Sequence, residues 1–159
     1  MHPDDFRRAL GRFASGVTVV TAAHDGQMAG MTVSAFSSVS LQPPYVLICL
    51  DKQAGTIPVL RASGVFAVNI LSAGQVDISN QFASKRPDKF SGIDWRPGRL
   101  GAPLLAGVLA SVECRVVQEM DAGDHLLYIG QVEATDIDTS AEPLLYYHGR
   151  YHGLAPLES

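Results

Sequence analysis

The chain has 159 residues, of which 47% are hydrophobic, and a formal net charge of −4 at pH 7. This length is typical of one domain with its own core, and no apolar run is long enough to cross a bilayer. The sequence has no basic cluster, so a nucleic-acid partner is not expected. The acidic start, residues 1–5, lacks a signal-peptide core, and a cytoplasmic protein is therefore expected.

The first part of the chain predicts a short helix and then two antiparallel strands. The helix begins at Pro3-Asp4-Asp5, and its apolar stripe consists of Phe6, Leu10 and Phe13. Residues 17–23 alternate in polarity and are rich in β-branched side chains. Asp25-Gly26 is the signal of a tight hairpin that leads into a second strand over residues 28–34.

A hydroxyl-rich segment follows and leads into a strand made entirely of apolar residues. Five hydroxyl side chains occur within nine residues, at Thr32, Ser34, Ser37, Ser38 and Ser40. Small side chains let a ligand approach the backbone, and short hydroxyls can bond its polar rim. Composition alone is equally compatible with an ordinary pair of Ser/Thr-rich strands.

The apolar strand after Pro43-Pro44 predicts an interface. Tyr45 to Leu50 is uninterrupted in its apolar character, which indicates burial on both faces. A small barrel buries only its inward face, so a homodimer is predicted to cover the outer one.

The second half predicts two more short helices and most of a β-barrel. Helices are expected over residues 56–63, with Thr56 as the cap, and over residues 75–82. Residues 85–107 are rich in Gly, Pro and charge and predict a long surface loop. The strands are expected over residues 65–71, 108–118, 125–135 and 144–148. In the second of these, Ser111, Glu113 and Arg115 share the face opposite Val108, Ala110, Val112, Cys114 and Val116. In the third, one face consists of Leu126, Tyr128, Gly130, Val132 and Ala134.

These elements predict a mainly β fold that forms one domain, residues 1–159. About seven antiparallel strands with two or three short helices indicate a small barrel. There is no GxGxxG, no P-loop, no metal-ligand spacing and no nucleophile elbow. Cys49 and Cys114 lie in apolar strand patterns without CxxC spacing, so two buried free thiols are expected.

A resemblance to a known family rests on the segment from Gly30 to Asp51. The run from Gly30 to Ser40, then Pro43-Pro44 and a strand ending in Cys49-Leu50-Asp51, resembles the flavin-binding segment of the short-chain flavin reductases. The resemblance continues in the expected order over residues 12–21, 66–71, 81–83, 88–90, 123–125 and 143–147. It implies an FMN-binding split β-barrel, Greek-key-like in topology.

The same resemblance implies the chemistry and the residues of the site. A hydride passes from NADH or NADPH to FMN or FAD, the reduced flavin goes to a partner monooxygenase, and no side chain acts as a catalytic group. The flavin-binding positions are Thr32, Val33, Ser34, Ala35, Ser37, Ser38, Cys49, Asp51, Lys52, Thr56, Phe82, Ala83, Lys89 and Phe90. The nicotinamide-binding positions are His125, His148, Arg150 and Tyr151. No metal site is implied.

Several of these residues also have plain structural interpretations. Lys52 could be a solvated loop lysine, Thr56 only a helix cap, and Phe82 a core residue. His125 could be an ordinary surface residue at a strand end. Ser34 stands where many relatives have Asn, and Gly55 precedes Thr56 where relatives often have Ser or Asn. These departures leave the choice between FMN and FAD open.

Three alternative functions stay open at the level of the sequence. One is a reductase of the same family that acts on a corrin cobalt through bound flavin. Another is a flavin-binding module without turnover, which Gly123-Asp124-His125 argues against because such a module needs no nicotinamide contact. The third is a small-ligand barrel without flavin, which the segment from Gly30 to Asp51 disfavours.

Overall fold

A seven-stranded antiparallel sheet dominates the computed structural model, which describes residues 1–138 and 140–157. Its strand order is β3-β2-β6-β9-β10-β5-β4. These strands are β2 (Thr18–His24), β3 (Gln27–Val33), β4 (Phe36–Leu41), β5 (Pro44–Asp51), β6 (Val65–Ile70), β9 (Ala110–Ala122) and β10 (His125–Ile137). The mainly β fold with about seven antiparallel strands is confirmed.

Three helices and five short strands complete the described part of the chain. The helices are α1 (Pro3–Leu10), α2 (Thr56–Ser63) and α3 (Val76–Ala83). The short strands are β1 (Ser15–Gly16), β7 (Trp95–Pro97), β8 (Pro103–Leu105), β11 (Leu145–Tyr147) and β12 (Arg150–His152). In the described residues no helix is both long and apolar enough to span a membrane.

The sheet curls into a barrel that is split between its two edge strands. β3 and β4 stand at opposite ends of the strand order, although only residues 34–35 separate them in the sequence. β3 also contacts β5, the neighbour of β4, so the two edges come close together. No ladder joins β3 to β4 among residues 1–138 and 140–157. This arrangement confirms the split barrel that the resemblance implied.

The inside of the barrel is filled by the alternating side chains of its long strands. Ile48, Leu50 and Phe66 have no exposed surface, and Tyr128 is 1% exposed. Gly130 completes this packing because a Cβ atom there would lie 2.5 Å from Phe66 Cζ. The inward face predicted for residues 125–135 is therefore correct.

The apolar strand β5 is buried on one face only. Val46, Ile48 and Leu50 are buried, whereas the alternate residues Leu47 and Cys49 stay partly exposed. A single chain thus buries only the inward face of β5, and burial of the outer face depends on the predicted homodimer. Both cysteines are free, as predicted, but only Cys114 is fully buried, and this burial raises its pKa to about 12.

The N-terminal helix forms as predicted, but it ends at Leu10, before Phe13, and its apolar stripe stays largely exposed in the described residues. Phe6 is 52% exposed, Leu10 57% and Phe13 81%, and no residue of α1 is buried.

The start of α2 differs from the expectation, because Gly55 is its N-cap and Thr56 its first residue. The Thr56 side chain makes no capping hydrogen bond and is buried instead.

The predicted loop over residues 85–107 contains a hairpin that covers the sheet. β7 pairs with β8, and Ala102, Leu104 and Leu105 are buried. Beneath the turn of this hairpin, Glu113 is only 5% exposed, and its carboxylate accepts hydrogen bonds from the amides of Arg99 (3.0 Å) and Leu100 (2.7 Å). Ser111 and Glu113 lie on the face opposite Cys114, as predicted, but the hairpin shields both from solvent.

The predicted last strand is a hairpin of two strands. β11 pairs with β12 on one side and with β1 on the other. His148 and Gly149 form the turn with φ of 52° and 76°, as a tight turn with two left-handed residues requires.

Candidate functional site

A large cavity lies beside β3, between the start of α2 and the loop that follows α3. Its volume is about 790 Å³. The lining residues are Met28, Ala29, Gly30, Met31, Thr32, Asp51, Gln53, Ala54, Gly55, Thr56, Phe82, Ala83, Ser84, Lys85, Arg86, Pro87, Lys89 and Phe90. A strand, a helix start and a loop thus converge on one concave surface.

An aromatic pair supports the apolar wall of this cavity. Phe82 has no exposed surface and lies against Gly30, where an added Cβ atom would be 2.7 Å from Phe82 Cε1. The Phe90 ring meets the Phe82 ring edge-on, with their centroids 5.0 Å apart. Because Gly30 lacks a side chain, the β3 backbone approaches the helix closely and leaves a flat apolar surface.

The loop that follows α3 gives the cavity a cationic rim. Lys89 Nζ donates to the carbonyls of Gly30 (3.2 Å) and Phe82 (2.9 Å), which fastens the loop to both β3 and α3. Burial lowers the pKa of Lys89. Arg86 also lines the rim and forms a two-pronged ion pair with Asp88, which lowers the pKa of that carboxyl. The rim therefore offers positive charge to an anionic ligand.

The turn before α2 adds free backbone donors. Asp51 Oδ1 accepts from the Gln53 amide at 2.8 Å, and the Asp51 carbonyl accepts from the Ala54 amide at 2.9 Å. Among the described residues the amides of Gly55 and Thr56 have no backbone acceptor. Unpaired amides at a helix start attract anions such as phosphate.

Seven of the predicted flavin positions line this cavity. They are Thr32, Asp51, Thr56, Phe82, Ala83, Lys89 and Phe90. Phe82 serves the core as well as the cavity wall, as its plain interpretation proposed. The Thr32 hydroxyl already donates to the carbonyl of Ser79 at 2.6 Å, so toward a ligand it can only accept.

The other seven predicted flavin positions lie outside the lining. They are Val33, Ser34, Ala35, Ser37, Ser38, Cys49 and Lys52. Ser34 and Ala35 connect β3 to β4, while Ser37 and Ser38 are exposed on β4. The ammonium of Lys52 bonds the Asp121 carboxylate at 2.7 Å, and its assignment to a phosphate stays a prediction.

The four predicted nicotinamide positions do not line the cavity and occupy two places. His125 begins β10, with Nδ1 2.7 Å from Asp124 Oδ1, and its side chain is 44% exposed. His148 and Arg150 are exposed on the C-terminal hairpin. Tyr151 is partly buried, and its hydroxyl contacts α3, 2.9 Å from Ser79 Oγ and 3.0 Å from Asn80 Oδ1.

Two lining cations, Lys85 and Arg86, were missed from the sequence. A sequence signal for these two cations was present, since they stand side by side just before the predicted Lys89 in a loop that contains Pro87.

A smaller cavity of about 220 Å³ lies elsewhere, beside Arg96 and Asp136, and includes none of the predicted residues. In the described part of the chain, no three His, Cys, Asp or Glu residues cluster as a metal site.

Comparison with known proteins adds independent findings. Residues 10–155 match the model of the flavin reductase like domain. The chain is 44% identical over 156 residues to the reductase subunit HsaB of a flavin-dependent monooxygenase from Mycobacterium tuberculosis, covering 97% of this chain and 83% of that protein. It is 40% identical over 156 residues to a flavin reductase from Pseudomonas putida, covering 98% and 92%.

A solved structure shows the same fold. The NADH:FAD oxidoreductase SgcE6 of Streptomyces globisporus superposes with a TM-score of 0.92 at 40% identity, covering 98% of this chain and 97% of that one. That protein has also been solved in complex with NAD and FAD fragments.

Proposed function

The chain belongs to the flavin reductase like family, and from this premise we propose that it reduces FMN or FAD with NADH or NADPH and supplies the reduced flavin to a partner monooxygenase. The observation that carries the proposal is the 790 Å³ cavity, whose lining combines an apolar wall with a cationic rim. A flavin has the matching chemistry, an apolar ring system at one end and a phosphate at the other.

The residues of the cavity fit the two ends of a flavin. Gly30 and Phe82 pack closely on the apolar side of the cavity, along which a ring can lie. The amides of Gly55 and Thr56, with Lys85 and Arg86, would hold the phosphate. A bound flavin supplies the hydride acceptor, and the chain contributes placement and exclusion of water. Ser34, Ala35, Ser37 and Ser38 remain predicted contacts beyond the cavity, on the segment that follows Thr32.

We place the nicotinamide near His125. This residue stands beside the turn that leads from β5 to α2, so a dinucleotide there would approach the flavin cavity from the barrel mouth. His148 and Arg150 are exposed and remain predicted contacts of the dinucleotide. The cytoplasmic location expected from the sequence also remains a prediction.

We also propose a homodimer. One chain leaves two apolar surfaces without cover, the α1 stripe of Phe6, Leu10 and Phe13 and the outer face of β5 with Leu47 and Cys49. Surfaces of this kind usually mark an interface, and twofold pairing of identical chains is the commonest solution.

Steady-state oxidation of NADH with added FMN, FAD or riboflavin tests the activity. Turnover with FMN or FAD is expected, and riboflavin should bind less tightly because it lacks the phosphate. Flavin binding without any NADH or NADPH oxidation would support the non-enzymatic flavin module instead. Turnover that requires a corrin acceptor would support the cobalt reductase.

Two leucine substitutions test where the flavin lies. Ala83 is exposed and lines the cavity, so Ala83→Leu fills space without disturbing the core. It should raise the flavin Kd at least about tenfold, which corresponds to roughly 1.4 kcal/mol. Ser38→Leu tests the predicted contact on β4, with an expected cost of about 1–3 kcal/mol for unpaired polar groups. Fluorescence quenching titrations give both constants, and an unchanged Kd in either variant removes that residue from the site.

A further inference from the structure

The hydroxyl of Tyr151 connects the C-terminal hairpin to α3. It lies 3.0 Å from Asn80 Oδ1, which can only accept, so Tyr151 donates its proton there. Ser79 Oγ, 2.9 Å away, must then be the donor to the Tyr151 oxygen. The Tyr151 ring packs in the cluster that contains Phe82 and lies edge-on to Tyr146 at 5.4 Å.

The same turn of α3 forms the back wall of the large cavity. Ser79 has no exposed surface, and its carbonyl accepts the proton of the Thr32 hydroxyl at 2.6 Å. Phe82, three residues later on the helix, packs over Gly30. One helix is therefore bonded to the hairpin through Tyr151 and to β3 through Thr32.

We propose that Tyr151 is a positioning residue of the flavin site and not a contact of the nicotinamide. The Tyr151 hydroxyl holds α3 in place. The Ser79 carbonyl can then accept the proton of the Thr32 hydroxyl, which leaves the Thr32 oxygen as an acceptor toward a ligand, and Phe82 stays packed against Gly30. A flavin ring carries an N–H donor that an acceptor such as Thr32 suits. This inference rests on the proposed position of the flavin in the cavity.

Tyr151→Phe tests the proposal because it removes the two hydrogen bonds and keeps the ring. The flavin Kd, measured by fluorescence quenching with FMN and with FAD, should rise roughly three- to tenfold, as expected for lost hydrogen bonds. At saturating flavin, kcat and the KM for NADH should stay at the wild-type values. The matched control is Tyr147→Phe on the same hairpin, whose hydroxyl makes no hydrogen bond within the described residues. Its flavin Kd should not change.

Asn80→Ala provides a second variant at an exposed position. It removes only the acceptor of the Tyr151 proton, so a smaller rise in flavin Kd, roughly two- to threefold, is expected. In the double variant with Tyr151→Phe the two effects should be less than additive, because both act through one hydroxyl. This comparison keeps the proposal testable if one variant folds poorly.

Three outcomes would overturn the inference, and they are distinguishable. An unchanged flavin Kd in Tyr151→Phe, with a raised Kd in Ala83→Leu, would leave the cavity assignment intact and remove Tyr151 from it. A raised KM for NADH with a normal flavin Kd would make Tyr151 a nicotinamide contact. Normal flavin Kd values in both Tyr151→Phe and Ala83→Leu would show that the flavin binds elsewhere, and the proposed site would then fail as well.

Discussion

His125 and Asp51 lie directly opposite each other in the ladder between β10 and β5. His125 is a predicted nicotinamide contact, and Asp51 lines the proposed flavin cavity. The next residue, Lys52, donates its amide proton to the carbonyl of Asp124 at 3.0 Å and its ammonium to Asp121. The turn before α2 and the turn before β10 are thus joined at the barrel mouth, although 74 positions separate Asp51 from His125.

His125→Ala should raise the KM for NADH or NADPH and leave the flavin Kd nearly unchanged. The physical reason is that the imidazole would bond or stack on the dinucleotide without exchanging a proton. The measurement is NADH oxidation at saturating flavin, repeated from about pH 5.5 to 8.5. No ionisation should disappear from the pH–rate profile.

His24→Ala is a matched control for this variant. His24 also stands beside an aspartate, Asp25, and its side chain is 43% exposed against 44% for His125. Loss of the His24 imidazole should leave both the KM for NADH or NADPH and the flavin Kd unchanged. If His125→Ala instead lowered kcat by about 10²–10⁴ with a normal KM, His125 would be a general acid or base, and the assignment would be wrong.

Placing a charge on the exposed stripe of α1 should disrupt the proposed dimer. Phe6→Glu with Leu10→Glu would bury two carboxylates in an apolar interface, which is strongly unfavourable. Light scattering at micromolar concentration should give twice the 17.0 kDa chain mass for the wild type and a single chain mass for the variant. Arg8→Glu, on the other side of the same helix, should stay dimeric. A wild-type protein of single chain mass would contradict the proposal.

Glu113→Gln should destabilise the fold by about 2–3 kcal/mol. The carboxylate accepts from two backbone amides, and a glutamine can offer them only one oxygen. Urea unfolding measures the difference in free energy. The control is Glu133→Gln on the neighbouring strand, because Glu133 pairs with Arg115 at an exposed position and its loss should cost less than about 1 kcal/mol. Equal losses in the two variants would show that burial of Glu113 adds nothing.

The stability of the protein should fall in acid partly through Glu119. Hydrogen bonds from Arg61 lower the pKa of this carboxyl to about 2 from its ordinary 4.5. The folded carboxylate therefore binds protons more weakly than the unfolded one, so its stabilisation is complete above pH 4.5 and disappears as the pH falls toward 2. Arg61→Ala should reduce the acid-induced loss of unfolding free energy. In a Glu119→Gln background the same substitution should leave the pH dependence unchanged.

Local sequence patterns were sufficient to predict much of the fold. The alternation over residues 125–135 correctly grouped Leu126 with Tyr128 on the face that lies inside the barrel, since strand periodicity depends only on neighbouring residues. The alternation also grouped Glu113 correctly opposite Cys114, but it did not predict the burial of Glu113, because the hairpin that covers it comes from another part of the chain. Local alternation reveals which residues share a face but not what covers that face.

The cavity lining includes some of the predicted flavin positions and not others. Phe82, Ala83, Lys89 and Phe90 line the cavity, and their contact with a flavin stays a prediction. Lys52 does not, because Asp121, 69 positions away, binds its ammonium. No local pattern indicates such a pair.

The close fit of Gly30 to Phe82 constrains how this sequence can evolve. Any side chain at position 30 would collide with the Phe82 ring, with the first contact at 2.7 Å. An alanine there becomes acceptable only after Phe82 has become smaller, and the smaller residue alone would leave a void behind the cavity wall. The two positions should therefore change together across descendants of this protein. A protein engineer who wishes to reshape the cavity would have to substitute them as a pair.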